Sequence, residues 1–554
     1  MLAAAALAGG SLAASCVKVN MSYGEPYIGP AKTGTAPPGG VQQPGEKPAP
    51  GEKPAPPAGQ TPAGQAPAAP AKTRDPVRIS VREAILTALA NNQSLVVQRL
   101  NPAITQTFEV QQAAVFDPTL TAGLSRQRTV TQGRGGRTST AQSVTGQVGV
   151  EQFLPTGTTV GVDAGTTASH GSFAGDEFFT SRLGLSVTQA LLRGYGLDVN
   201  LASLQQARID TLSTEYELRG FAESLVAQVE ETYWDYTLAQ RQIEIFTQSL
   251  QLAERQLEET LERIRVGKLA EIERAASEAE VALRREDLIN AHSALVTTRL
   301  RLLCLLNPAV SEFWSREVAI DTPPASPQVT LEDVESHVRL AMRMRSVLNQ
   351  ARLQVSRGDL EIVKTKNGLL PRLDLFLTLG KSGYADTFGG SLGRFDQRGH
   401  DLLVGVNLEY PPLNRDAQAR NSRAVLSRRQ SVEAVANLAQ LVEADVRTAY
   451  IEVGRAKEQV AATAVTRKLQ EEKVRAEMEK FRVGKSTTLL VAQAQRDLLA
   501  SQINEVQAVV AHLRALVELF RLEGSLLERR GIEAPGRQPV ELTRSAERGM
   551  QGAE

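Results

Sequence analysis

The tetrapeptide Arg265-Val266-Gly267-Lys268 returns as Arg482-Val483-Gly484-Lys485, an offset of 217 residues (482 − 265). The same offset carries Tyr233 onto Tyr450, Leu302 onto Leu519 and Asn307 onto Gly524. A fixed offset over such a distance marks an internal duplication, and a duplicated chain folds as two similar units. Each tetrapeptide lies between two long stretches of helical periodicity, where glycine supplies the positive φ that ends a helix. Each is therefore expected at the tip of a helical hairpin.

The helical stretches are long. From about Asn200 to Val266 the chain reads as one helix, on the order of 100 Å at 1.5 Å per residue. Within it Val229, Tyr236, Ile243, Leu250, Leu257 and Ile264 fall seven apart, the seam of a coiled coil. A return helix from about Glu271 to Leu306 ends at Asn307-Pro308. In the second copy a helix from about Ala417 to Val483 carries Val425, Val432, Val446, Val453, Val460, Val474 and Phe481 on its seam. Ala439 fills a gap there, Arg467 breaks the run, and a return helix reaches about Leu522. Because 217 is 31 heptads, both copies keep one register, and the long helices are expected to pack equivalently around an axis.

Ahead of each hairpin the period changes. Ser80, with Glu83 three residues on, opens a helical pattern that Phe116-Asp117-Pro118 stops. Residues 118–190 then alternate apolar and polar: Leu120, Ala122 and Leu124; Val144, Gly146, Val148 and Val150; Val160, Val162 and Ala164; Leu183, Leu185 and Val187. Strands of about ten residues with one apolar face suit a membrane β-barrel with a wet lumen, although a soluble sandwich also alternates. The connections run long (130–141), tight (Pro155-Thr156-Gly157) and long again (169–180), as loops and periplasmic turns of bacterial barrels do. The second copy starts at Thr330-Leu331-Glu332-Asp333 and is helical to about Asn367. Leu373 to Leu379 and Leu402 to Tyr410 then alternate.

Other signals bound the function. The 62 basic and 62 acidic residues balance, so no net field recruits nucleic acid. No apolar run approaches the roughly 20 residues of a spanning helix, which leaves a β-barrel open. Residues 2–14 resemble the apolar core of a secretory signal, and Leu12-Ala13-Ala14-Ser15-Cys16 resembles a lipoprotein box. Cys16 is expected to be acylated; the competing reading is a bystander cysteine behind an ordinary signal peptide. Residues 17–79, rich in Pro, Ala and Gly, are expected to be a disordered tether. Gly484-Lys485-Ser486-Thr487 ends like a P-loop, but Glu479 stands where the motif needs glycine. The five histidines show no ligand spacing and are expected to be solvated or capping. Cys304, among four leucines, is expected in the core, as are Tyr233 and Trp234. Glu271, Glu278 and Glu280 are expected on a solvated face.

Two repeats of helix, strands, long helix, tip and return helix resemble the TolC-type outer-membrane efflux and secretion channels over nearly all of residues 80–525. The most specific pieces are Phe481-Arg482-Val483-Gly484-Lys485-Ser486-Thr487-Thr488-Leu489-Leu490 and Arg265-Val266-Gly267-Lys268. Leu185 to Gly194 also resembles the family's strand-to-helix junction, with Ala190 where a Pro commonly stands. The resemblance implies a mixed α and β membrane protein: a trimeric transmembrane β-barrel in outer-membrane lipid, continued by a long α-helical coiled-coil periplasmic tunnel. It implies a passive exit duct, not an enzyme, with no cofactor. Partners would be two further copies of the chain, a periplasmic adaptor and an inner-membrane pump.

On this frame residues 80–306 form the first repeat, 307–329 a joint, 330–523 the second repeat and 524–554 a polar tail. Val266, Gly267, Lys268 and Leu269, with Val483, Gly484, Lys485 and Ser486, would be the adaptor-docking tips. Family members often carry aspartates six and nine residues after the second tip glycine; here Leu490 and Gln493 stand there, and Ser486 replaces a clamping arginine. Glu273, the partner of Leu490 at the 217 offset, then becomes the candidate pore-constriction charge, against a solvated-face role. The strand segment from Phe116 to Leu191 is 75 residues long against 41 from Leu370 to Pro411, an excess of about one hairpin. Either each chain gives six barrel strands or the extra hairpin lies outside a usual four; the alternating loops favour six. The alternative function, a periplasmic coiled-coil adaptor, would carry one hairpin rather than two alternating with strands.

Overall fold

The computed structural model describes residues 77–132, 136, 138–171, 178–308, 318–325, 330–395 and 399–541. The signal segment with Cys16, most of the tether and the last residues of the tail lie outside the described residues. The chain enters through β1 (Val77–Ile79), α1 (Val81–Asn91) and α2 (Gln93–Ala113), so the last three residues assigned to the tether form a strand. Ser80 and Glu83 close the capping box, each side chain taking a backbone N–H of the other residue. Four strands follow: β2 (Thr119–Gln132), β3 (Thr138–Leu154), β4 (Thr158–Gly171) and β5 (Phe178–Ala190). After α3 (Leu197–Asn200), α4 (Ala202–Arg265) runs for 64 residues and α5 (Ile272–Leu306) returns.

The second half repeats this order. Strand β6 (Val318–Ile320) pairs in parallel with β1. Helices α6 (Val334–Met344) and α7 (Ser346–Asn367) lead to β7 (Arg372–Ala385), α8 (Phe388–Gly393) and β8 (His400–Glu409). Then α9 (Arg415–Arg482) runs for 68 residues, α10 (Thr488–Leu522) returns, and α11 (Leu526–Arg529) follows.

Six strands form one antiparallel sheet in the order β2-β3-β4-β5-β7-β8, four from the first half and two from the second. Element positions locate the excess. The entering helices start 253 residues apart (334 − 81), whereas the hairpin helices end 217 apart (482 − 265). The difference, 36 residues, equals the span from Thr119 to Leu154, which is β2 and β3. The β4–β5 hairpin therefore corresponds to β7–β8, and β2–β3 is the addition.

One core joins both halves. Val229 and its offset partner Val446 are both fully buried, as are Leu302 and Leu519. Of the two seams, Val229, Tyr236, Val446 and Val453 are buried inside one chain, against α1, α5 and α10. Equivalent tyrosines anchor the entering segments. Tyr233 donates to the Ile79 carbonyl at 3.1 Å and Tyr450 to the Glu332 carbonyl at 3.2 Å, each just ahead of the first helix of its half.

Four expectations fail here for geometric reasons. Leu302, Leu303 and Leu306 turn to the core, and Cys304, about 100° per residue around the helix, is exposed. His337 and His512 are buried rather than solvated, and His337 pairs through Nδ1 with the fully buried Glu523. Burial beside Lys457 pushes the His512 imidazole below its ordinary value. Glu280 is half-buried and paired rather than solvated. The segment after Gly524 is not simply polar: Leu526 and Leu527 are fully buried.

That C-terminal segment straps the two halves together. Arg219, buried on α4, donates to Glu223 at 3.0 Å, to the Gly524 carbonyl at 3.1 Å and to Glu528. Arg530 forks onto Glu230 with two 2.6 Å bonds, and Arg529 reaches Glu523 at 3.0 Å. Burial pushes the Glu223 carboxyl from 4.5 up to about 7, with Arg219 pulling it back and Glu528 adding to the rise.

Two predictions follow from this packing. Leu302→Ala and Leu519→Ala should each destabilise the protein by about 2–5 kcal/mol in chemical denaturation, because each opens a cavity in the shared core. Near-equal losses would reflect the equivalent sites; a loss at only one would refute the equivalence. For Glu223, a carboxyl raised in the folded state lends stability that is complete below its ordinary 4.5 and lost as pH rises through about 7. The melting temperature should fall across that window, by the equivalent of at most about 3 kcal/mol, and Glu223→Gln should flatten this part of the profile.

Candidate functional site

Both hairpin tips are closed by the same backbone device. At the first, Gly267 has φ 71° and donates to the Ile264 carbonyl at 2.9 Å, while Lys268 donates to Arg263 at 2.8 Å. At the second, Gly484 has φ 75° and donates to Phe481 at 3.1 Å, while Lys485 donates to Lys480 at 2.8 Å. These paired bonds form a Schellman cap, and its left-handed position favours glycine. The repeated tetrapeptide is thus a helix stop whose glycine cannot readily be replaced.

The cap leaves the tips bare. Val266 is 54% exposed and Val483 66% exposed, at sites where large apolar side chains are usually covered. Space around both glycines is open, Lys268 and Lys485 are exposed, and Leu269 is half-buried. The two tips differ in one detail. Ser486 donates to Glu477 at 2.9 Å, and hydrogen bonds from Lys480 and Ser486 hold the Glu477 carboxyl below its ordinary value.

The constriction candidates lie just beyond the tips. Glu273 is half-buried in the first turn of α5, where the helix N-terminus favours a carboxylate. Leu490, 47% exposed, occupies the first turn of α10, and Thr487 accepts its backbone N–H at 3.4 Å. Gln493, one turn on, is exposed.

Contacts not foreseen from the sequence hold one hairpin against the other. Arg263 of α4 stacks over the Phe481 ring of α9, 4.4 Å from its centroid. Arg284, 4% exposed, pairs with Glu280 and, at 3.2 Å, with Asp287. Glu280 in turn lies 3.8 Å from Arg496 of α10. A groove of about 190 Å³ opens beside them, lined by Gln256, Ser277 and Glu280 from one hairpin and Thr488, Leu489 and Arg496 from the other. A signal was present: Ser277, Arg284 and Ala291 are buried at seven-residue spacing, so the arginine occupies the seam of α5.

At the opposite end, the sheet bears exposed aliphatic residues in quantity. Leu124 is 82% exposed and Leu408 64% exposed, and the register puts them on one face with Val148, Val162, Leu185 and Leu379. Long strands with one bare apolar face suit a lipid boundary. Among the described residues no helix is long and apolar enough to cross a membrane, and no group of side chains could hold a metal ion.

Known proteins agree with this architecture. The model of the family described as outer membrane efflux protein matches residues 159–307 and 338–525, more than half of the chain. The match begins at β4, so the added β2–β3 hairpin lies outside it. The CmeC outer membrane channel of Campylobacter jejuni superposes with a TM-score of 0.61 at 12% identity, over 85% of this chain and 88% of that one. The MtrE outer membrane channel of Neisseria gonorrhoeae gives 0.57 at 17% identity, over 80% and 89%. CusC, described in terms of transmembrane channel formation, gives 0.61 at 16% identity, over 80% and 92%. No curated protein sequence matches the chain. Paired hairpins with Schellman tips, a sheet with one apolar face and a family match across both halves lead to one conclusion: the chain belongs to the outer membrane efflux protein family.

Proposed function

We propose that three copies of this chain form a passive exit duct of a tripartite efflux or type I secretion system. The observation that carries this reading is the open six-stranded sheet. Its outer strands β2 and β8 each leave a row of N–H and C=O groups unpaired within one chain, which lipid does not tolerate. Strand direction alternates along the sheet and the strand number is even, so β8 of one copy runs antiparallel to β2 of the next. Three copies then close a barrel of 18 strands, roughly 35 Å between opposite backbones at the usual spacing and tilt. The two hairpins of each copy continue it as a periplasmic tunnel. Purified protein in detergent should therefore run as a heat-resistant trimer and conduct ions in planar bilayers; a monomer without conductance would refute the duct.

Val266–Leu269 and Val483–Ser486 are proposed to receive the hairpin of a periplasmic adaptor, which links the duct to an inner-membrane pump. Bare valines beside glycines let another backbone approach closely. The Gly267→Trp, Gly484→Trp protein should keep its trimer and lose export, whereas Asn at both positions, which tolerates the left-handed backbone, should preserve export. Normal export by the tryptophan protein would remove the tips from the docking site.

The periplasmic mouth is proposed to take its charge from Glu273 of the first repeat. Three such carboxylates around a narrow opening would focus their field on passing cations. Glu273→Gln should lower cation preference and divalent-ion block in bilayer recordings, and Gln493→Ala should leave both unchanged. An unaltered Glu273→Gln channel would return that residue to a solvated surface.

A further inference from the structure

We propose that the lipid-facing side of the sheet binds a phosphorylated, multiply acylated lipid of the outer leaflet; the proposal rests on the outer-membrane reading above. Residues paired across antiparallel strands share a face, so the register follows one face over all six strands. On it lie Leu120, Ala122 and Leu124 of β2, with partners Val150, Val148 and Gly146 on β3. The same face continues through Val162 and Leu185 to Leu379 and Leu402.

At the loop-side end of the apolar run this face turns basic. Arg126 and Arg128 follow Leu124 on β2, His170 lies near the end of β4, and Lys381 follows Leu379 on β7. All four are exposed. Every acidic residue of the six strands, namely Glu151, Asp163, Asp374, Asp401 and Glu409, falls on the opposite face. Among the described strand residues, this separation gives the outward face a cationic collar that shares its face with no carboxylate. Arg126 is steadied by a 3.2 Å bond to Gln142, which leaves the rest of its guanidinium fork for an anion.

Beside the collar there is room for an acyl chain. Helix α8 lies on the same face, held by the 2.7 Å contact of Ser391 Oγ with Ser181 Oγ. Gly383 permits this seat, since a Cβ there would stand 2.1 Å from the Ser391 carbonyl oxygen. Between helix and sheet runs an apolar groove of about 660 Å³, with Phe388, Leu392 and Phe395 on one side and Leu124, Val148 and Leu183 on the other. Apolar groove and cationic rim together match a lipid with fixed negative charge rather than a zwitterionic one. Two of the three cations, Arg126 and Arg128, stand on the added β2–β3 hairpin, so the addition supplies a large part of the site.

The test uses full-length trimer reconstituted with equal amounts of lipid A, a phosphorylated multiply acylated disaccharide, and phosphatidylcholine. Retained lipid is then quantified by mass spectrometry. The wild type should retain lipid A in excess, and Arg126→Gln, Arg128→Gln, Lys381→Gln together should cut that excess at least about fivefold. Dephosphorylated lipid A should show the same loss on the wild type, and Phe388→Ser with Leu392→Ser should weaken retention while the trimer remains heat-resistant. Equal lipid A retention by the wild type and an assembled triple variant overturns the proposal. So does displacement of the lipid by millimolar inorganic phosphate, which would mark a simple ion site. Absence of the protein from outer-membrane fractions would instead overturn the outer-membrane reading, and this proposal with it.

Discussion

The free edges of β2 and β8 govern what this chain can become. A backbone N–H or C=O without a partner costs several kcal/mol in hydrocarbon, and no side chain along these edges can supply the missing row of bonds. On the proposed reading only another copy can. The same constraint explains the form of the addition in the first half. A single extra strand would reverse the direction of one edge and bring copies together in parallel. A hairpin adds two strands and preserves the antiparallel match, which is why an increment of 36 residues is tolerated.

At the other end of the molecule the constraint is the helix terminus. Helices of 64 and 68 residues each end in a backbone cap that needs nothing from the rest of the protein. The tips are therefore defined locally, and their valines stay free of the core. The waist works differently. There Tyr233 and Tyr450 hold the entering segments, one apolar core spans both halves, and buried arginines and glutamates tie the C-terminal strap across them. Removing one member of such a network strands its partner, so the waist tolerates change poorly.

The two halves are also less alike than the tetrapeptides suggest. Leu306 and Glu523 share a position at the 217 offset and both are fully buried, yet one is aliphatic and the other binds His337 and Arg529. Ser486 pairs with Glu477 at the second tip, while its counterpart Leu269 lies half-buried at the first. Two similar hairpins in one chain can thus take different roles, and the proposed mouth charge from Glu273 alone is one instance.

Local chemistry was legible in the sequence. The period of two, the Ser80–Glu83 box, the glycine stops and the tight turn at Gly157 each depend on residues close in the chain, and each stands where the residues put it. Only the tertiary structure decided what lay across from each residue. Heptad spacing marks Val446 and Val453 as buried but not against what, and they turned out to pack within one chain. Leucines around Cys304 could not say which side of the helix faced inward. Glu280 met Arg496, and His337 met Glu523, because folding brought together helices distant in sequence. The cationic collar required the register of six strands before its residues shared a face. Periodicity is written along a chain, whereas partners are chosen by the packing of one element on another.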